Sequence, residues 1–209
     1  GTQIHSVTLQ GSAFVESKER SYVYTVARGR PAHLVGVDLK TNITVVNLPL
    51  EYTDGSWGIT ESTDGILYVS TAQGVIFKHM PGSNEIENLG VALKGEKVIW
   101  DVVAGRNGEI YGATYPGCKV FRYHPKDGFK EISDGPVMEG QQYARYLAYD
   151  HLHHKLYVGV RIGISVHEFD LNTGKKRMLF SEEDLKSTSF HNLKLIPSSS
   201  LWRIYQRLQ

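Results

Sequence analysis

One pattern returns five times along this chain, and it restricts the fold more than any single motif does. In its clearest copy, between Trp100 and Gly128, Trp100-Asp101-Val102-Val103 leads to a turn at Asn107-Gly108 and then to Ile110-Tyr111-Gly112. The preceding copy runs from Trp57-Gly58-Ile59-Thr60 through Asp64-Gly65 to Leu67-Tyr68-Val69. The following one runs from Tyr146-Leu147-Ala148-Tyr149 through His153-His154 to Leu156-Tyr157-Val158. A degenerate first copy holds Ala13-Phe14-Val15 and Tyr22-Val23-Tyr24. The last holds His191-Asn192-Leu193-Lys194, Ser199-Ser200 and Leu201-Trp202-Arg203. The aromatic of the second segment falls at Tyr24, Tyr68, Tyr111, Tyr157 and Trp202, at spacings of 44, 43, 46 and 45 residues.

A third segment with its exit turn repeats as well: Val37 to Thr41, His79 to Ser83, Tyr123 to Asp127 and Phe169 to Thr173. A weaker fourth follows each, at Ile43–Leu48, Glu85–Leu89, Phe129–Ser133 and Lys176–Phe180. Four short strands in a period of roughly 40–50 residues is the signature of a β-propeller blade. Such units hide their apolar faces by stacking on one another. The expected fold is all-β, with blades at about 12–53, 55–93, 98–137 and 144–180 and an incomplete blade at 191–209. The alternating stretch Gln3 to Leu9 reads as a strand that joins the last hairpin and closes a five-bladed ring, since closure removes open sheet edges. A partial or open propeller, completed by further blades or by a second copy, fits the same pattern. The tail from Trp202 to Leu208 alternates and reads as a strand. One short helix is expected, at Ser181 to Lys186.

Gly108 to Pro125 carries the core G-x-[IVL]-Y-x-[GA]-T-Y-P-x-x-x-[VL]-x-x-Y-x-P, and in this it resembles blades of bacterial β-propellers. The resemblance implies the propeller architecture. In its residue types the chain is also loosely similar to propeller polysaccharide lyases.

Composition removes several functions. The 23 basic and 22 acidic residues balance, so neither a nucleic-acid groove nor an acidic-membrane binder is expected. The one cysteine, Cys118, cannot form an intrachain disulfide. No apolar run of about 18 residues exists to span a membrane, and no signal peptide is visible. The chain starts at Gly1, which suggests that a tag, leader or further segment preceded it. No metal or cofactor site is expected.

In a propeller, the loops entering first strands and those joining second to third strands share one face. That face gathers Arg28, Arg30, His33, Trp57, Asp101, Tyr115, Tyr143, Arg145, Arg161 and His191. Cations and aromatics together suit an anionic polysaccharide or oligosaccharide. We expect Arg28, Arg30, His33, Trp57, Asp101, Tyr115 and Arg161 to bind ligand. Cleavage by β-elimination would add three tasks. Arg145 or Arg161 would neutralise a uronate carboxylate, His191 or Tyr143 would take the adjacent proton, and a tyrosine would protonate the leaving oxygen. A binding module, a uronate lyase, and a protein-interaction platform or part of a larger propeller enzyme all remain open at this point.

Simpler readings stand beside these. Trp57 and Trp100 share a repeat position, as packing residues between blades do. Tyr68, Tyr111 and Tyr157 belong to second strands and the core. Aspartates such as Asp101 commonly bond backbone. His151, His153 and His154 fall in a solvated turn with no fourth ligand for a metal. Cys118 has no base to activate it.

Overall fold

The computed structural model describes residues 8–16, 21–161, 165–180, 190–194 and 203–206, the last two segments as backbone alone. Among these residues there is no helix, and hence none long and apolar enough to cross a membrane. The candidate helix at 181–186, the expected strand over residues 3–7 and Trp202 lie outside the described residues.

The protein is a β-propeller built from four-stranded antiparallel sheets. Blade 1 comprises β1 (Leu9–Glu16), β2 (Ser21–Ala27), β3 (Ala32–Asp38) and β4 (Ile43–Leu50). Blade 2 comprises β5 (Ile59–Glu61), β6 (Leu67–Ser70), β7 (Val75–His79) and β8 (Ile86–Val91). Blade 3 comprises β9 (Val98–Ala104), β10 (Ile110–Tyr115), β11 (Val120–His124) and β12 (Gly128–Glu131). Blade 4 comprises β13 (Tyr143–Asp150), β14 (Lys155–Arg161), β15 (Ser165–Asp170) and β16 (Lys175–Met178). A two-stranded sheet follows, β17 (Phe190–Lys194) with β18 (Arg203–Gln206). The strand starting at Leu9 belongs to blade 1, where Leu9 pairs with Ala27.

Strand order within each blade follows chain order, because tight turns join neighbours. The Asn107-Gly108 turn places both residues at positive φ, 53° and 77°, as a two-residue hairpin of the right twist requires. First strands stand side by side: β5 lies between β1 and β9, and β13 between β9 and β17.

The cores lie between blades. Tyr24, Val26 and Leu34 of blade 1 share one with Leu67, Val69 and Phe77 of blade 2. Ile66, Tyr68 and Ile76 of blade 2 share the next with Ile99, Val102, Ile110 and Phe121 of blade 3. Tyr111, Ala113 and Val120 of blade 3 share the third with Leu147, Leu156 and Val158 of blade 4. Alternation along the second strands sends odd and even residues to opposite neighbours. The repeat tyrosines of blades 1, 2 and 3 face the following blade. Tyr24 meets His79, Tyr68 meets Tyr123 and Tyr111 meets Tyr149, with ring centroids 5.4, 5.7 and 5.4 Å apart.

Where these tyrosine strands carry a glycine, a large neighbour fills the space. Gly112 pairs with Phe121 across β10 and β11, and a methyl group at Gly112 would run into the buried Phe121 ring. Gly112→Ala is therefore expected to cost about 1–3 kcal/mol through overpacking. Urea unfolding should show a lower midpoint with an unchanged slope.

Candidate functional site

The first strands share an irregularity. In blade 3, Asp101 pairs with Ala113 and Ile99 with Thr114, so Trp100 is an extra residue in the ladder. In blade 4, Tyr146 pairs with Gly159 and Ala144 with Val160, and Arg145 is the extra residue. In blade 1 the extra residue is Gly11, at φ 66°, between Gln10 and Ser12. Blade 2 does the same: Ser70 N–H donates to Gly58 O and Ala72 N–H to Gly55 O, which leaves Trp57 in the excess. In the last hairpin, Phe190 to Leu193 oppose Gln206 to Ile204, so the excess falls on His191 and Asn192. A β-bulge re-aims the side chain that it carries. Repeated from blade to blade, it aims Trp57, Trp100 and Arg145 of blades 2, 3 and 4 at the same place.

Those side chains meet. The Trp57 and Trp100 ring centroids are 5.1 Å apart. The Arg145 guanidinium carbon lies 3.7 Å from the Trp100 ring centroid, 5.8 Å from that of Trp57 and 5.7 Å from that of Tyr146. Trp100 continues to Tyr143 at 6.1 Å, and Tyr143 to Tyr115 at 4.6 Å. The result is a shelf of four aromatic rings from blades 2, 3 and 4, with a cation laid upon it. A cation over an indole face is attracted by the ring quadrupole, by about 2 kcal/mol where water is excluded. Trp57 remains 40% exposed, so the shelf has an open end. The Trp100 Nε1 is buried and has no hydrogen-bond partner among the described residues.

Asp101 lies next to the bulge. One carboxylate oxygen accepts from the Val102 N–H at 2.9 Å, and the other accepts from the Leu147 N–H of blade 4 at 2.8 Å. Burial of the carboxyl pushes its pKa up to about 7, while those two N–H groups and the Arg145 charge hold it back from rising further.

The remaining expected residues divide. Tyr143 starts β13, and Arg161 pairs with it across β13 and β14, so both lie on one face of blade 4. His191 lies on β17, beside β13, and its side chain is outside the described residues. Arg28, Arg30 and His33 form a separate group on blade 1. Both arginines flank Asp54, at 4.0 and 3.9 Å. The His33 Nδ1 lies 2.7 Å from Asn47 Oδ1 on the outermost strand.

Trp100, assigned to packing from its repeat position, packs and also carries Arg145. In the sequence Trp57 and Trp100 share an offset from Tyr68 and Tyr111, but in blade 4 that offset falls on Tyr146, one residue after Arg145. In the histidine turn, His153 pairs with Asp150 at 2.6 Å and His154 with the Tyr149 hydroxyl at 2.6 Å, which are separate engagements. Cys118 is buried, and burial raises its thiol pKa.

Asp101 has a consequence for stability. An ordinary aspartate releases its proton near pH 3.8, whereas this one holds it to about pH 7 in the folded protein. Between about pH 4 and pH 7 the folded state thus binds more protons than the unfolded chain, and stability from this group falls as pH rises through that window. Urea midpoints measured across it should fall more for the wild type than for Asp101→Asn. Parallel curves would show that Asp101 titrates normally.

No protein-family profile matches the chain, and no curated protein matches it. Solved structures do. Virginiamycin B lyase from Staphylococcus aureus aligns over 86% of this chain with a TM-score of 0.65 at 12% identity, and the chain spans 57% of that protein. A catalytically inactive form of virginiamycin B lyase with quinupristin aligns over 92% of this chain and 75% of its own, with a TM-score of 0.65 at 11% identity. The extracellular domain of BT4673 from B. thetaiotaomicron aligns over 89% of this chain and 24% of its own, with a TM-score of 0.64 at 16% identity. Identities this low show a common fold and nothing finer.

Proposed function

We propose that the bulge face is a binding site for an anionic carbohydrate, and that the chain works as a ligand-binding propeller module. The observation that carries this reading is the Arg145 guanidinium resting on Trp100 within a row of aromatic rings. Sugar rings present C–H faces that stack on aromatics, and uronate residues add a carboxylate for a guanidinium. The shelf offers both within one side chain of each other. Arg161, exposed and opposite Tyr143, extends the positive charge along blade 4. Asp101 fits a structural role here, since both its oxygens accept backbone N–H groups.

Calorimetric titration with uronate oligosaccharides tests the reading. Arg145→Ala should weaken binding by roughly tenfold or more, the equivalent of about 1.4 kcal/mol. Arg145→Lys should fall between, because it keeps the charge and loses the planar stacking. Unchanged affinity in Arg145→Ala would remove the shelf from the binding site.

A second reading, cleavage by β-elimination, draws on one observation: a carboxyl with pKa about 7 lies under the influence of Arg145 beside the shelf. In that reading Arg145 neutralises the uronate, and Tyr143 or His191 handles the proton. The shared fold with virginiamycin B lyase fits a lyase without indicating its substrate. An absorbance assay for unsaturated uronate separates the two. A flat trace from protein that binds the polymer is expected for the module. A rise that Arg145→Ala abolishes would make the chain a lyase.

A further inference from the structure

A separate cleft opens on blade 1, where the loop between β2 and β3 meets the connector from β4 to β5. Arg30, Pro31, Glu51, Tyr52, Asp54 and Gln73 line it, and it encloses about 420 Å³. That volume lies in the range of small-ligand pockets. Its floor is tied together from three segments. Gly29 N–H donates to Asp54 O at 3.3 Å, and Ala32 N–H donates to Thr53 O at 2.9 Å. The Gln73 side chain, from blade 2, accepts from the Asp54 N–H at 3.2 Å and donates to the Asp54 carboxylate at 2.9 Å.

Tyr52 is the anomaly in this floor. Its φ is 64°, a left-handed conformation that bulky residues rarely adopt, and the residue is 90% exposed. An aromatic ring held in solvent on an unfavourable backbone contributes nothing to packing. Such outliers concentrate where ligands are met. Charges of both signs stand beside it, Arg28 and Arg30 against Asp54 and Glu51. Arg28 and Arg30 share the single Asp54 carboxylate, and the Arg30 side chain is 89% exposed. Glu51, on the same lining, is an acceptor for hydroxyl groups.

The cleft is also close to the shelf. Asp54 precedes Trp57 by three residues, so at about 3.3–3.6 Å per residue their backbones lie within about 11 Å. A short oligosaccharide covers that distance. We propose that this cleft is a second sugar subsite on the same face, taking one uronate residue of a glycan whose other residues lie on the Trp57–Trp100 shelf. The inference rests on the shelf being an anionic-glycan site. The sugar ring stacks on Tyr52, its carboxylate meets Arg30, and its hydroxyls meet Glu51.

Oligogalacturonates of two to eight residues, titrated calorimetrically into the full chain, supply the test. Affinity should rise with length until one oligomer reaches both places. Tyr52→Asn suits a left-handed backbone and so preserves the connector. It should leave disaccharide affinity unchanged and remove roughly tenfold from the affinity of the longest oligomers. Trp57→Ala should weaken every length. If Tyr52→Asn binds long oligomers like the wild type while Trp57→Ala weakens them, the second subsite is overturned and the shelf stands. If Trp57→Ala changes nothing at any length, the shelf reading falls and takes this inference with it.

Discussion

A β-sheet has two faces, side chains alternate between them, and every blade with a neighbour on each side must cover both. The chain meets that requirement through parity. Leu67 and Val69 turn back into the core shared with blade 1, while Ile66 and Tyr68 turn forward into the core shared with blade 3. In blade 3, Ile110 turns back and Tyr111 forward. The repeat tyrosine gives this alternation a direction, because a ring this large is accommodated only on the side where the next blade leaves room. Sliding one second strand by a residue would exchange its two faces and empty two cores together.

The bulge face exists because this alternation is interrupted at one place in each first strand. A residue in strict alternation is bound for an inter-blade core or for the face opposite. The extra residue escapes both, and so can be large, charged or absent without disturbing the cores. The chain uses that freedom: glycine in blade 1, tryptophan in blades 2 and 3, arginine in blade 4. Asp101 is the counterpart of this freedom. Held beside the bulge by a backbone bond from blade 4, it joins two blades where the ladder is weakest. Burial there costs its charge some stability.

The blades and their tyrosines were legible in the sequence because both come from periodicity, which a chain displays openly. The bulges were not. One added residue alters neither composition nor pattern, so Trp100 read as packing and Arg145 as an odd neighbour of an aromatic. The loop face was legible only as a list of residues. Topology put Arg28 and Arg30 in a loop of the same end as Trp57, but their grouping depends on Asp54, which arrives from a different segment. His33 engages Asn47 on the neighbouring strand, a partner that its place in the sequence does not show. The exposed Tyr52 carried no signal at all, since a left-handed tyrosine has no sequence signature.

Cores shared between neighbours also grade the blades in time. Among the described residues, blades 2 and 3 each hold up two cores, whereas blade 1 takes part in one and carries Phe14, Ile43 and Val45 exposed. In a linear array with nearest-neighbour coupling, local opening is easiest where the fewest interfaces must part. Amide exchange should accordingly be slower in β6 and β10 than in blade 1. Trp57 and Trp100 thus stand on blades held by two cores, while Arg30 and Tyr52 ride on loops of a blade held by one. A molecule resting on both would act as a splint, lending blade 1 the lifetime of its neighbours.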